Sequence, residues 1–519
     1  MEIKKQEYPV LCKKSSAQSQ ITCDEEVNVP DSCPDVGRMI QKKGSVQIKD
    51  VQVGDDAVLL SGQLIFCLLY VTDDEERSIK SFSGQIPVEE TIRLEGVHEG
   101  DKIRLKWELE DLTLRLIHPR KLEVQAVISF RADVQEKCTL LLPLDVVKEE
   151  GLSCRTQKEA ILGLKVHRKE AIHLKEELLL PSNKQEIEQV LWQEIEVRGL
   201  KFRCMEGEIA YTGEMFVFLL YTGDDPLSPP EWIEQVIPVN GTLPCEACHA
   251  DHLPDITVRL VQEEIHIQPD TNGEERLLQA EAVLETELCL QKEEEFSLLM
   301  DVCDPVRECQ PVTEATVIEH LLVRNEAKCR VSDRVDTGEA QGKILQICHS
   351  NARLRVDECH VTPTGLEVEG ILKVRILYIV SDDEMPFYAM ETVLPFGQLI
   401  EVPDMRGEIG YELQTDLEQL STTMADSHEI EIRAMISCSA LVVQKKEIPL
   451  LREMETKPLD MEKIRTLPGI VCCRTGPEDT LWDLAKTYYT TVDEIMALNE
   501  LQGEPEPGQT LFLVKKVES

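Results

Sequence analysis

Aromatic residues are scarce: they make up 4% of a 519-residue chain in which 42% of residues are apolar. Its cores therefore have to be packed from Leu, Val and Ile, and the length allows three or four domains. Positive charge is scarce too, with 55 Lys and Arg against 97 Asp and Glu, for a formal net charge of −42. Such a surface repels phosphate backbones and anionic lipid headgroups, which argues against nucleic acid and against electrostatic membrane docking. Solubility is the simplest use of the acidity, and a basic protein partner the next. No apolar run reaches half the length of a membrane span. The longest, "LIFCLLYV" (64–71) and "MFVFLLY" (215–221), suit buried strands. The first residues, "MEIKKQEYPVLCKKSSAQSQ", carry lysines with no apolar segment behind them. This leads us to expect a soluble, cytoplasmic protein without membrane insertion.

Catalytic signatures are missing as well. The chain has no phosphate-binding P-loop, no G-x-S-x-G and no H-E-x-x-H. Carboxylates are so numerous that nothing singles out a glycosidase pair. Eighteen cysteines are scattered along the chain, several inside apolar runs (Cys67, Cys289, Cys438), where a thiol behaves as a small hydrophobe. Reduced thiols are the default for a cytosolic chain. "CEACH" (Cys245, Cys248, His249) has the spacing of a haem-attachment motif, and with His252 it offers zinc-type ligands. Covalent haem attachment takes place on exported chains, no second Cys pair completes a finger, and the other repeats lack these residues. Ordinary thiols in a loop are the preferred reading. Cys348-His349 and Cys359-His360 are sequence neighbours, and neighbours on a strand point to opposite faces, which suits proton exchange poorly. No catalytic residue, metal or cofactor is expected.

What the chain does have is an internal repeat. "LLSGQLIFCLLYVTDDEE" (59–76), "AYTGEMFVFLLYTGDDPL" (210–227) and "EVEGILKVRILYIVSDDE" (367–384) each place a glycine before an apolar run, a tyrosine and an acidic turn. Gly62, Gly213 and Gly370 lie 151 and then 157 residues apart. So do Tyr70, Tyr221 and Tyr378; Asp74, Asp225 and Asp382; Pro87, Pro238 and Pro395; and Val36, Ile187 and Ile344. Five ungapped coincidences mean duplication. A later match, "LEVQAVISF", "LLQAEAVLE" and "IEIRAMISC", needs small gaps. Segments such as "SVQIKDVQV" and "KLEVQAVISF" alternate apolar with polar residues, the period of a strand with one buried face. The glycine suits a bulge or a close backbone approach, and the tyrosine the end of a core strand. Val36 and Ile40, four apart after two prolines, fit a short helical segment. "HRKEAIHLKEELLLP" (167–181) reads as a connecting strand or short helix.

The C-terminal segment 469–514 parses as βααβ. "IVCC" is a short strand; Thr480 with Asp483, and Thr491 with Glu494, have capping-box spacing at the heads of two helices. Leu481, Leu484, Ala485 and Tyr488 recur at helical spacing, and Ile495 and Leu498 are expected to point inward. "EPGQ" is a turn and "TLFLV" the returning strand. The fold class expected for the whole chain is mainly β. Three tandem β-rich, sandwich or barrel-like domains (1–150, 151–312, 313–451) precede a linker (452–468) and the small βααβ domain (469–516).

That module closely resembles the LysM family, whose pattern G-D-T-L-W-x-I-A-x-x-Y, T-T-V-x-x-I-x-x-x-N-x-L and P-G-Q-x-L is met at most positions. Here it runs through Asp479, Thr480, Leu481, Trp482, Ala485 and Tyr488, then Thr490, Thr491, Val492, Ile495, Asn499 and Leu501, then Pro507, Gly508, Gln509 and Leu511. The resemblance implies a shallow groove for N-acetylglucosamine glycan. One wall would be Asp479, Thr480 and Leu481 beside Trp482; the other would be Asn499, Leu501 and the "GEPEPG" loop with Pro507 and Gly508. Glu478 replaces the family's glycine and puts a charge at the groove mouth. Residues 469–519 hold nine acidic and four basic residues, a net charge of −5, which makes an anionic wall polymer less welcome. The repeats resemble SPOCS domains (the DUF3794 family), and the whole arrangement resembles the SipL-like spore-coat morphogenetic proteins. That resemblance implies a non-enzymatic adaptor in the mother-cell cytoplasm at the forespore surface. It would bind the coat base-layer ATPase, stage IV sporulation protein A, together with other coat proteins. The alternative is a peptidoglycan-binding protein of the spore cortex or cell wall.

Overall fold

The computed structural model describes residues 1–147, 152–224, 228–304, 307–338, 342–382, 386–466 and 468–515. The duplication appears as three six-stranded units. The first comprises β1 (Ile3–Asn28), β2 (Val36–Gly54), β3 (Ala57–Thr72), β4 (Ile79–Arg93), β5 (Ile103–His118) and β6 (Lys121–Val146). The second comprises β7 (Ser153–Leu179), β8 (Gln189–Met205), β9 (Glu208–Thr222), β10 (Glu231–Pro244), β11 (Leu253–Pro269) and β12 (Glu275–Cys303). The third comprises β13 (Arg307–Asp336), β14 (Ile344–Thr362), β15 (Gly365–Val380), β16 (Phe387–Glu401), β17 (Glu408–Met424) and β18 (Glu429–Pro458). In each, two antiparallel three-stranded sheets enclose one core: β2–β3–β4 faces β1–β6–β5, and the other units repeat that order. The chain is mainly β, as expected.

The repeated residues now have physical roles. Tyr70, Tyr221 and Tyr378 are fully buried, and the Tyr70 hydroxyl donates to the carbonyl of Pro34 at 3.0 Å. Opposite Gly62, Gly213 and Gly370 the partner strand bulges each time, at Ile48/Asp50, Arg198/Lys201 and Val356/Glu358. A Cβ at Gly62 would overlap the carbonyl oxygen of Gln47, and one at Gly370 that of Arg355. Pro87, Pro238 and Pro395 lie on β4, β10 and β16, outer strands of their sheets, where a missing N–H breaks no ladder. Asp225 lies outside the described residues. Two expectations are corrected. Val36 and Ile40 belong to β2 rather than a helix: Val36 packs in the unit's own core, and Ile40, at a bulge in the register with β3, packs against the other units. Residues 452–458 are strand, continuing β18 in register with β13 until the acidic and proline residues that lead into the short helix α1 (Met461–Thr466). The segment 167–181 is strand, the end of β7, through Leu179.

The three units close on one another around a pseudo-threefold axis. The end of each repeat's apolar run is buried on both faces, so alternation is lost there. Leu64, Phe66, Leu68 and Tyr70 fill the first unit's core, while Leu69 and Val71 leave it for a cluster shared by all three units. Leu69, Leu220 and Leu377 occupy the same repeat position and meet there, each no more than 1% exposed. A second shared cluster joins Tyr8 and Leu142, Ile161 and Leu298, and Ile318, Ile448 and Leu450. Gly163 leaves room for the Tyr8 ring, whose hydroxyl reaches the carbonyls of Ile161 and Lys292, both at 3.2 Å.

Cys245 and Cys248 are buried in the second unit's core, 3% and 0% exposed. By the repeat offsets they stand where the first unit has Leu94 and Val97 and the third has Val402 and Met405, all packed in their cores. Among the described residues no group of three or more His, Cys, Asp or Glu is placed to hold a metal. The double change Cys245→Val, Cys248→Val is therefore expected to cost less than about 1.5 kcal/mol in urea unfolding. It should leave zinc content unchanged from wild type by elemental analysis.

Candidate functional site

The final module is built as its capping pattern dictates. Strand β19 (Ile470–Arg474) pairs antiparallel with β20 (Thr510–Val514), and α2 (Leu481–Thr487) and α3 (Val492–Asn499) pack on one face of that ribbon. Thr480 caps α2 by accepting from the Asp483 backbone N–H, and Thr491 caps α3 through Glu494 N–H. Leu481, Leu484, Ala485, Ile495, Leu511 and Leu513 form the core. Leu498, expected inward, is 48% exposed. Asn499 holds the position beside the ribbon instead: its side chain donates to the carbonyls of Ile495 and Phe512 and accepts from Phe512 N–H.

Of the residues expected to form the groove, the structure brings several together. Asp479 accepts from Gly476 N–H at 2.7 Å and so closes the loop entering α2. Gly508, at φ +87°, donates to the carbonyl of Thr475 at 2.7 Å, which ties the second loop to the first. Pro507 is exposed, and Leu501 packs against the module core. Between the two loops lies a contact the residue pattern did not single out. The Glu504 carboxylate reaches across and accepts from the backbone N–H of Leu481 at 2.8 Å. Together with the internal hydrogen bonds of Asn499, this bridge leaves the groove joined by the chain's own groups. Glu478, Glu504 and Glu506 stand exposed around it.

Trp482 faces elsewhere. Its indole Nε1 donates to Asp301 Oδ2 at 2.8 Å, and Lys486 Nζ meets both oxygens of Asp301 at 2.8 Å. Trp482 is 7% exposed and lies outside the module's own core, so the end of β12 is what buries it. This contact fixes the module on the second unit. Nothing in the spacing of Asp301 marked it as an anchor; its partner 181 residues away emerges only in the folded chain.

No helix among the described residues is long and apolar enough to cross a membrane. No curated protein and no solved structure matches the chain significantly. The family model described as "SipL, SPOCS domain" matches residues 35–117 and 343–425, and that for the LysM domain matches 474–513. The first SPOCS match covers β2 to β5, and the second the equivalent strands β14 to β17. The middle unit carries the same six strands in the same order without a match. Both domain types are binding domains, and their combination fits a sporulation-related protein with a peptidoglycan-binding type of module. The chain thus carries SipL-type SPOCS domains at two of its three repeats and a LysM domain at its C-terminus.

Proposed function

We propose that the chain is a non-enzymatic adaptor of spore-coat assembly. Its LysM module recruits the coat base-layer ATPase, stage IV sporulation protein A, in the mother-cell cytoplasm at the forespore surface. The three-unit body offers its outer strands to other coat proteins. The observation that carries this reading is the self-bridged groove: Glu504 occupies the Leu481 N–H, and Asn499 is hydrogen-bonded within the fold. A neutral glycan would have to displace a charge-assisted hydrogen bond and lie among exposed carboxylates, whereas a protein surface with basic residues would pair with them. The second reading, attachment to cortex or wall peptidoglycan, is favoured by the LysM match itself.

Substitution of the rim separates the two. In the full-length chain, Asp479→Ala and Glu504→Ala are expected to weaken binding to purified coat ATPase by about tenfold or more, the effect of losing a charged contact at an interface. Circular dichroism should be unchanged. Unaltered ATPase affinity, with Glu504→Ala increasing retention on insoluble peptidoglycan, would favour the glycan reading.

A further inference from the structure

On the pseudo-threefold axis the inward strands β5, β11 and β17 carry matched positions: Arg104, Asp255 and Glu412 form one layer, and Lys106, Thr257 and Gln414 the next. The first layer is held together by ion pairs, its carboxylates outnumbering its one cation. Arg104, 7% exposed, lies 3.6 Å from Asp255, 3.8 Å from Glu412 and 3.5 Å from Glu287. The second layer is not. Among the described residues Lys106 has neither a hydrogen bond nor an ion pair, and its neighbour across the β5–β6 ladder is Arg131.

Two cavities, of about 970 and 760 Å³, both take Lys106 as part of their lining. The larger one is walled by all three units and falls in the size range of small-molecule sites. Apart from Lys169, its other cations already have partners: Arg131 pairs with Asp133 at 3.3 Å, Arg355 with Asp357 at 2.8 Å, and Arg259 with Glu285 while lying over the Trp107 ring. The carboxylates of those pairs are engaged in turn, and Glu287 is held by His167 at 3.0 Å as well as by Arg104. Glu108 also lines the cavity. Desolvation, opposed by Arg355, raises its pKa. Lys106 is pushed the other way, by burial first and then by Arg104, against Glu412 and Asp255, which favour its charged form. The other two units have Thr257 and Gln414 here, so the fold does not require a cation at this position.

We infer that the axial cavity is a binding site for a small multivalent oxyanion, carboxylate or phosphate, which places its charge on Lys106 between the three units. An anion there supplies the missing partner of a half-buried ammonium and is recognised by groups from more than one unit.

The test is isothermal titration of the full-length chain at constant ionic strength with inorganic phosphate in one arm and citrate in the other. Saturable one-site binding is expected in at least one arm, and the responding arm identifies the class. Lys106→Gln and Lys106→Thr, which copy the third and second units, should fold normally and weaken binding by about tenfold or more. The exposed neighbour Lys102→Gln should bind as wild type does. No heat in either arm, or equal affinity in the Lys106 variants, would overturn the assignment.

Discussion

Alanine in place of Glu194 is expected to cost about 3–5 kcal/mol of unfolding free energy, because it strips one partner from a buried charge cluster and leaves the others uncompensated. Lys43, Glu194 and Asn351 occupy one repeat position in three units and meet at the axis. Lys43 lies 3.8 Å from Glu194, and the Asn351 amide donates to Glu194 Oε1 at 2.6 Å. His349 adds a contact at 3.5 Å to the other oxygen. Burial alone would raise the Glu194 pKa, but Lys43 and then His349 drive it far below the usual carboxylate range. The same argument predicts an asymmetry: replacing all three polar residues with apolar ones of similar size should cost much less than the single alanine. Urea unfolding of the two variants checks it. Equal losses would mean that this cluster does not hold the units together.

Stability is also expected to fall on the alkaline side by about 3 kcal/mol, the consequence of one histidine. His349 is 5% exposed, stacks on Phe218 at 4.1 Å and lies 3.0 Å from Glu234 of the second unit. Burial would lower its pKa, but the Glu194 and Glu234 carboxylates beside it win and push it from 6.5 up to about 9. A pKa raised in the folded state contributes stability that is complete below pH 6.5 and is lost as pH rises through about 9. Glu194 has the opposite sign: its contribution is present above the ordinary carboxylate range and disappears as pH falls. Urea midpoints between about pH 3 and pH 10 should therefore show a plateau between the ordinary carboxylate value of 4.5 and pH 6.5, with a falling limb on either side. His349→Leu should start lower and flatten the alkaline limb. A variant that keeps the full alkaline slope would place the titrating group elsewhere.

Much of this architecture is legible in the residues, and the parts that are not share a cause. Gly62, Tyr70 and Pro87 recur because each meets a local demand of one unit, a close approach, a core strand's end or an outer strand. The helix caps Thr480 and Thr491 act within three residues, so spacing alone reveals them. Closure of the three units depends on residues that differ at matched positions, such as Lys43, Glu194 and Asn351, and a search for sameness passes over them. The one available clue is the unbroken apolar run around Leu69, whose lack of alternation reports burial on both faces. Cys348 and His349 illustrate the limit of local rules. Strand neighbours should face opposite ways, yet the bulge at this point and the neighbouring units leave both buried. Trp482 belongs to the LysM pattern, but its partner Asp301 belongs to another domain, so its direction could not be read from the module. Leu498 follows helical spacing and still faces solvent, because Asn499 supplies the contact to the ribbon.

The most direct test of the adaptor account offers the full-length chain two partners in parallel: purified coat base-layer ATPase and insoluble spore peptidoglycan from the same organism. The account predicts saturable binding to the ATPase, weakened by Asp479→Ala and Glu504→Ala, with no retention on the glycan. Retention on peptidoglycan together with indifference to the ATPase would contradict it and make the module a wall anchor.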